Sequence, residues 1–273
     1  MKHKCQYDFC LLIPCYNNIS GLIQSLKSVH YTDGEYLIVI VDDGSAVPVE
    51  YTDLGEAGEN SGVAVILKND TNQGITFSLN KGLNWIFSNT DCSFIARLDC
   101  GDICSTDRFS RQIEFMKKHS SVGLLGCWVS FRDKAGSNGY KYTTPVDHPQ
   151  LLRAMYFRNV FIHPGVVIRR KVLEDNNLLY PDDFPHAEDY AFFWSIIDVS
   201  QSYILNDYLV LCEINKNGIS YTNRNRQLQS RYRVVRKFGK SVTLKILSYF
   251  YIHILRFTPL AIVEYLKKGL GKN

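Results

Sequence analysis

Short apolar stretches that recur through the first half of the chain constrain its fold more than any other feature of the sequence. Five of them, rich in Val, Ile, Leu and Phe, span residues 9–13, 36–41, 63–67, 94–98 and 122–129. Continuous apolar runs of this length are typical of strands that are covered on both faces, as in parallel sheets. We therefore predict that they form one buried, mainly parallel sheet.

Amphipathic helical patterns lie between some of these strands. Apolar residues share one helical face in three segments, at Leu22, Ile23, Leu26 and Val29, at Ile75, Leu79, Leu83 and Ile86, and at Phe109, Ile113 and Met116. The first segment follows the cap residues Asn17 and Asn18, and the third is expected to start near Ser105 or Thr106. Strands that alternate with helices predict an α/β fold built from right-handed βαβ units.

The remaining sequence is less regular. Glycine and proline recur beyond about residue 134, which is typical of irregular structure beside an active site. The 273 residues are 45% hydrophobic and 21% charged, and this balance excludes a disordered or multi-span membrane protein. No pair among the eight cysteines has the two-residue gap of a zinc or redox motif, so we expect reduced thiols in a cytoplasmic protein.

Charge is distributed unevenly along the chain. Residues 224–273 contain twelve Lys or Arg and one acid, a net charge of +11, which leaves −7 for residues 1–223 because the whole chain carries +4. Large apolar residues are dense between positions 246 and 266, but Arg256 and Pro259 near the middle disfavour a membrane span. We predict a basic amphipathic helical tail on an anionic membrane surface. A terminal helix packed on the body and a nucleic-acid-binding tail are the alternatives.

Polar residues follow three of the predicted strands, in the segments 14–18 (PCYNN), 42–45 (DDGS) and 99–102 (DCGD). Ligands of open α/β sheets bind outside the carboxyl ends of the strands. Carboxylates placed there can accept a hydrogen bond from a base, hold ribose hydroxyls or bind a hard cation. Next to a diphosphate they need that cation, because the like charges would otherwise repel. A nucleotide sugar bound with Mg²⁺ or Mn²⁺ explains this pattern.

Six motifs occur in order between residues 11 and 194. They are LLIPCYNN (11–18), IVIVDDGS (38–45), NQGITFSLNKGL (72–83), FIARLDCGDICSTDRFSRQIEFM (94–116), HPGVVIRR (163–170) and AEDYAFFW (187–194). Together they resemble the inverting glycosyltransferases of family 2. The resemblance implies a GT-A fold and transfer of a hexose or N-acetylhexosamine from a nucleotide sugar, with a UDP-sugar as the expected donor.

The resemblance also implies roles for individual residues. Those that would line the donor pocket are Pro14, Tyr16, Asn17, Asp42, Asn72, Arg97, Asp99 and His163, with Asp42 on the uracil and His163 near the diphosphate or the acceptor. Asp99 and Asp102 would form a variant of the metal-binding DxD motif, and Gly101 stands where the family usually has a further acid. Asp189, next to Glu188, would be the base that takes the proton of the acceptor hydroxyl.

Other readings fit less well or stay open. A dinucleotide-binding enzyme needs a glycine-rich turn after its first strand, but no glycine occurs there before Gly21. A P-loop needs glycine at position 234, where this chain has Val234. Gly101 leaves open a catalytically inactive sugar-nucleotide binder. The cations at 169–171 are either solvated or in contact with an acceptor phosphate.

The sequence thus predicts a GT-A catalytic domain over residues 1–223 and a basic membrane-associating tail over residues 224–273. The expected enzyme is an inverting hexosyltransferase that uses Mn²⁺ or Mg²⁺ in the synthesis of a surface polysaccharide. Its expected acceptor is a saccharide, linked to a lipid pyrophosphate, and nucleic acid is not an expected partner. The expected location is the inner face of the cell membrane.

Overall fold

A sheet of nine strands forms the centre of the protein in a computed structural model that describes residues 5–54, 64–133, 139–214, 223–259 and 262. The strands are β1 (Cys5–Cys15), β2 (Tyr36–Asp42), β3 (Ala64–Lys68), β4 (Thr90–Arg97), β5 (Ile103–Cys104), β6 (Val122–Arg132), β7 (Gly139–Tyr142), β8 (Val167–Arg169) and β9 (Gln201–Glu213). The helices are α1 (Ile19–Lys27), α2 (Ile75–Asn89), α3 (Arg108–Lys118), α4 (His148–Met155), α5 (Arg170–Asp175), α6 (Glu188–Val199), α7 (Arg224–Phe238) and α8 (Val242–Phe257), with a 3-10 turn at His163–Gly165.

The strand order is β3-β2-β1-β4-β8-β6-β9-β5, and β7 pairs with β6. Strands β1 to β4 are parallel, and so are β6 and β9. Strand β8 is antiparallel to its neighbours β4 and β6. The five strands and three helices predicted for the first half are confirmed, and the sheet is mainly parallel as expected.

The strands do not alternate between polar and apolar residues because helices cover both faces of the sheet. In β1, Cys10 and Leu12 point into one hydrophobic core, whereas Phe9, Leu11 and Ile13 point into the other, and all five are fully buried. Helices α1 and α3 contribute side chains to the second core, and α2 and α6 contribute to the first. A strand buried on both sides has no need of polar residues, which is why its sequence does not alternate.

The expectation of irregular structure beyond residue 134 was wrong for much of the segment 148–213. This segment contains helices α4 to α6 and strands β8 and β9, of which β9 is 13 residues long. Strand β9 and helix α6, the longest of these elements, lack the alternation or amphipathic period by which such elements are recognised in a sequence. Polar Asn206 and Asp207 interrupt β9, and α6 is buried from Tyr190 to Trp194, so it shows no amphipathic period.

The C-terminal segment contains two antiparallel helices. Helix α7 packs on the body through Val234 and Val235, which belong to the first core. The Arg224 guanidinium at the start of α7 donates to the carbonyl oxygens of Leu255 (2.6 Å) and Thr258 (2.8 Å) at the end of α8. Within the described residues, no helix combines the length and the apolar character that crossing a bilayer requires. Residues 260–261 and 263–273 of the predicted tail lie outside the described residues.

Candidate active site

The loops that follow β1 to β4 emerge at one edge of the sheet. Cys15 pairs with Asp42 at the ends of β1 and β2, and Asp42 pairs with Lys68 at the end of β3. On the other side of β1, Leu12 pairs with Arg97 at the end of β4. The segments 14–18, 42–45 and 99–102 therefore come together at the carboxyl edge of the sheet, as the sequence predicted.

Hydrogen bonds hold these loops against one another. The backbone N–H of Asn17 donates to Ser45 Oγ (2.8 Å), and the N–H of Ala46 donates to Asn17 Oδ1 (2.8 Å). Asn18 caps α1 and donates from Nδ2 to the Cys100 carbonyl oxygen (3.2 Å). The loops after β1, β2 and β4 thus form one bonded unit.

Asp42 is turned into the loop that follows it. Its side chain accepts the backbone N–H groups of Ser45 (3.0 Å, Oδ1) and Val49 (2.8 Å, Oδ2), and the residue is 2% exposed. A contact with uracil, which stays a prediction, would use a remaining lone pair of one of these oxygens. Pro14 is half-buried at the same edge, and Tyr16 is half-exposed.

Asp43 has a structural role that the sequence reasoning missed. Its carboxylate accepts Nδ2 of Asn69 (2.8 Å) and the backbone N–H groups of Gln73 (2.9 Å) and Gly74 (2.9 Å). These bonds fix the loop between β3 and α2, which carries the exposed Asn72. The paired aspartates of the DDGS motif therefore each hold a different loop at the edge of the sheet.

Arg97 lies below the site rather than inside it. The residue is 1% exposed, and Nη1 donates to the carbonyl oxygens of Leu12 (2.6 Å) and Leu98 (3.0 Å). Nη2 donates to Asp99 Oδ1 (2.5 Å), and Nε donates to His163 Nε2 (3.2 Å). Burial raises the pKa of Asp99, but the charge of Arg97, the contribution of His163 and the hydrogen bond from Arg97 together lower it, so Asp99 stays ionised.

His163 reaches the site because β8 runs opposite to β4. The residues before an antiparallel strand lie beside the carboxyl end of its neighbour, so His163 meets the end of β4. Besides the bond to Arg97, Nε2 lies 2.8 Å from Tyr180 Oη. Burial, followed by the charge of Arg97, lowers the pKa of His163 to about 3, which keeps the imidazole neutral. Tyr180 had no signal in the sequence.

Tyr180 is fixed to α2 by a reciprocal pair of hydrogen bonds. Asn80 Nδ2 donates to the Tyr180 carbonyl oxygen (2.8 Å), and the Tyr180 N–H donates to Asn80 Oδ1 (2.9 Å). The Tyr180 ring also stacks on Phe192 of α6, with ring centroids 3.9 Å apart. The segment before α6 is thereby joined to both halves of the molecule.

Asp102 lies between the ends of β4 and β9. Its Oδ1 accepts the backbone N–H of Glu213 (2.9 Å), and the residue is 7% exposed. Burial, followed by the charge of Asp99, raises the pKa of Asp102 to about 7. Asp99 and Asp102 are therefore near neighbours, as the DxD-like motif implied.

The residues present fit a divalent cation that is shared with a substrate. Within the part of the chain that the structure describes, no group of three or more His, Cys, Asp or Glu could hold a metal ion alone. Mg²⁺ is commonly bound by one or two carboxylates together with substrate phosphates and water. The bonds that Asp99 and Asp102 make to Arg97 and Glu213 use Oδ1 of each, and Oδ2 takes no part in them. This donor set suits a hard cation beside a diphosphate.

Asp189 lies in the first turn of α6. Its Oδ2 accepts Nδ2 of Asn159 (2.9 Å), and its Oδ1 accepts the N–H of Tyr190 (2.7 Å). Burial raises the pKa of Asp189 to about 6, and burial with the charge of Asp189 raises that of Glu188 to about 7. The charge of Asp99 also raises both pKa values, so the acids of α6 and Asp99 act on one another.

Asn159 is the other site residue that the sequence did not reveal. The N–H of Phe161 donates to Asn159 Oδ1 (3.2 Å), which turns the amide nitrogen toward Asp189. No motif contains Asn159, which lies in the turn between α4 and the 3-10 helix. Only the fold brings it to α6.

Two of the cations at 169–171 do not belong to the site. Arg169 donates to the carbonyl oxygens of Met116, His119 and Val122, and Arg170 donates to those of Phe87 and Thr90. Both expectations for these two residues were wrong, because their guanidinium groups bind backbone within the fold. Lys171 is exposed and pairs with Asp175.

Two solved structures that resemble this fold are those of glycosyltransferases. The poly(ribitol-phosphate) β-N-acetylglucosaminyltransferase TarS of Staphylococcus aureus, in complex with UDP-GlcNAc, matches with a TM-score of 0.61 at 16% identity, over 90% of this chain and 70% of that one. Mannosyltransferase PcManGT from Pyrobaculum calidifontis, in complex with GDP-Man and Mn²⁺, matches with a TM-score of 0.63 at 14% identity, over 97% and 80% of the two chains. The predicted GT-A fold is thus confirmed.

Sequence comparison then defines the family. The model of glycosyl transferase family 2 matches residues 10–176, and the chain belongs to this family. The amylovoran biosynthesis glycosyltransferase AmsE of Erwinia amylovora is 32% identical over 183 residues, which are 64% of this chain and 66% of AmsE. The resemblance carried by the six motifs is confirmed, and the protein is a glycosyltransferase with relatives in polysaccharide biosynthesis.

Proposed function

We propose that the protein transfers a hexose or N-acetylhexosamine from a nucleotide sugar to a saccharide, with inversion at the anomeric carbon and with Mg²⁺ or Mn²⁺. The observation that carries this proposal is the position of Asp189, a buried carboxyl group whose pKa is raised to about 6 and which interacts with Asp99 on the donor side. Such a group can accept a proton near neutral pH, where an ordinary aspartate is a weaker base.

The donor half binds and orients the nucleotide sugar. The bonded loops after β1, β2 and β3 would hold the base and ribose through Tyr16, Asn17 and Asn72, and Asp99 would stay ionised beside Arg97. Asp99 and Asp102 would hold a divalent cation, which would supply positive charge to offset the charge that builds on the leaving diphosphate. The neutral His163 and the hydroxyl of Tyr180 offer hydrogen bonds without further charge.

The acceptor half activates the attacking hydroxyl. Asp189 takes the proton of the acceptor hydroxyl as that oxygen bonds to C1 from the face opposite the diphosphate, so the configuration at C1 inverts. Asn159 keeps Asp189 Oδ2 in one orientation. Glu188 shares the site and, with a pKa raised to about 7, carries less negative charge than an exposed glutamate.

The comparisons support parts of this proposal. TarS is named a β-transferase and was solved with UDP-GlcNAc, which fits inversion of an α-linked donor. PcManGT was solved with Mn²⁺ and GDP-Man, and the name of AmsE points to polysaccharide assembly. We extend these to a polysaccharide enzyme with a lipid-pyrophosphate-linked acceptor at the inner face of the membrane.

A catalytically inactive binder was suggested by the missing acid at position 101. Gly101 adopts a φ of +102°, a conformation that L-amino acids with side chains rarely adopt. The glycine is therefore required by the shape of this loop, and its presence argues less strongly against activity.

The test is Asp189→Asn, with release of nucleotide measured over a panel of donors with Mn²⁺. We expect unchanged donor affinity and a loss of transfer of about a thousandfold, because the amide cannot accept the proton. Asp183→Asn, at an exposed carboxylate before α6, is the control and should keep full activity. Full activity of Asp189→Asn would show that Asp189 is not the base. If the wild type binds donors but transfers sugar from none of them, the protein is instead an inactive nucleotide-sugar binder.

A further inference from the structure

The outward face of α8 is an apolar surface that the catalytic reaction does not use. We define this face by its six apolar residues, which are all at least half exposed: Val242, Ile246, Leu247, Phe250, Ile254 and Phe257. Thr243, which is exposed, and His253, which is half-buried, are the polar residues among them. The residues on the opposite side, such as Ser248 and Ile252, are buried against the body. The helix therefore buries few of its apolar residues and exposes most of them to solvent.

The spacing of these residues makes the face continuous. Steps of three and four residues connect positions 243, 247, 250, 254 and 257, so at about 100° per residue the face covers roughly 140° of the helix and runs about 24 Å along it. Scattered apolar residues on a protein surface need no explanation, but a contiguous face of this extent marks an interaction site.

We propose that the outward face of α8 docks on an anionic lipid bilayer. The cations Arg256 on α8 and Arg226 and Arg236 on the neighbouring α7 are exposed. An apolar helix face with Trp or Phe and with flanking Lys or Arg is the arrangement that lies in a membrane interface. The charge of +11 on residues 224–273 complements anionic headgroups, whereas it would repel the same segment of a second copy.

The charge on the rest of the chain gives the docked protein an orientation. Residues 1–223 carry −7, so an anionic surface attracts the tail and repels the body. Helix α7 connects the docking face to α6, since the ring of Phe238 stacks on Trp194 and Tyr232 contacts Tyr249 of α8. If the proposed function holds, α7 joins the helix that docks on the bilayer to α6, which carries the base that would act on a lipid-linked acceptor.

The experiment is flotation of the full chain with vesicles of phosphatidylglycerol and phosphatidylcholine, compared with phosphatidylcholine alone. We expect binding only to the anionic vesicles, and a loss of about a hundredfold in Phe250→Glu/Ile254→Glu, which removes two apolar anchors and adds two negative charges. The control Val47→Glu/Val199→Glu places the same charges at exposed apolar residues of the body and should float like the wild type. Arg226→Gln and Arg236→Gln should each weaken binding by about fivefold.

Three results would overturn the proposal. One is equal flotation of the wild type and Phe250→Glu/Ile254→Glu. Another is retention on a polynucleotide column without flotation, which would assign the tail to nucleic acid. The third is a dimer in light scattering that the double variant abolishes, again without flotation. Flotation needs neither donor nor acceptor, and transfer to a water-soluble saccharide should be unchanged in the double variant, so a failure here is distinct from a failure of the proposed transferase activity.

Discussion

The carboxyl groups on the two sides of the cleft belong to the same chemical class but are held differently. On the donor side, Asp43 accepts three N–H groups and Asp99 is paired with the buried Arg97. On the acceptor side, Asp189 receives one side-chain amide and the N–H of the next residue, and burial raises its pKa. For Asp99 and Asp189, the difference lies in the charged guanidinium beside the first, which lowers its pKa, and the neutral donors beside the second, which do not offset burial.

The largest expected effect concerns the anchor of the donor side. Arg97→Met should lower the free energy of unfolding by about 3 kcal/mol, because the carbonyl oxygens of Leu12 and Leu98 and the carboxylate of Asp99 all lose their donor. Urea denaturation measures this loss. The surface cation Arg111 provides the control, and Arg111→Met should cost less than about 1 kcal/mol. Equal losses in the two variants would mean that Arg97 does not anchor the donor side.

A smaller effect tests the acceptor side. Asn159→Ala removes the side-chain amide that Asp189 accepts and should lower kcat by about 30-fold, since a hydrogen bond to a charged group is worth about 2 kcal/mol. The acid limb of the pH profile should move to higher pH, because the ionised form of Asp189 loses a donor. KM for the donor should not change. If the variant lowers kcat without moving this limb, Asn159 has only a structural role. The control is Asn176→Ala, which removes an exposed amide that donates to the Val172 carbonyl oxygen in α5.

The smallest effect is the pH dependence of the wild type. Because the pKa of Asp189 is raised to about 6, the protonated and inactive form accumulates below that pH, and kcat should fall about fivefold from pH 6 to pH 5. The ionisable groups that act on Asp189 include Glu188, Asp99 and Tyr180. His163, with a pKa of about 3, should not contribute to this limb. If kcat does not change from pH 7 to pH 5, the base does not have a raised pKa.

The donor side could be predicted from the sequence to a greater extent than the acceptor side. Central strands such as β1 are buried on both faces, so their apolar runs stand out, and their carboxyl ends place 42–45 and 99–102 without further information. Strand β9 and helix α6 lack a clean period, because polar residues interrupt the first and nearly all of the second is buried. A search for apolar residues that recur every 2 or 3.6 positions therefore finds neither β9 nor α6.

The site residues divide in the same way. Asp99, Asp102 and Asp189 belong to motifs and could be proposed from the sequence, whereas Asn159 and Tyr180 are single polar residues in turns and had no signal. They reach the cleft only through the tertiary arrangement, in which the antiparallel β8 brings His163 to the end of β4 and Tyr180 bonds to it. The buried position of Arg97 was likewise invisible, because a sequence does not show which guanidinium groups will find backbone carbonyl partners.

The reciprocal bonds between Asn80 and Tyr180 have a consequence for how substrates are admitted. The side-chain amide of Asn80 and the peptide group of Tyr180 share two hydrogen bonds there, and these bonds join α2 to the stretch of chain ahead of α6. A double connection of this kind resists hinge bending between α2 and that stretch. We therefore expect their spacing to stay the same when a nucleotide sugar is bound.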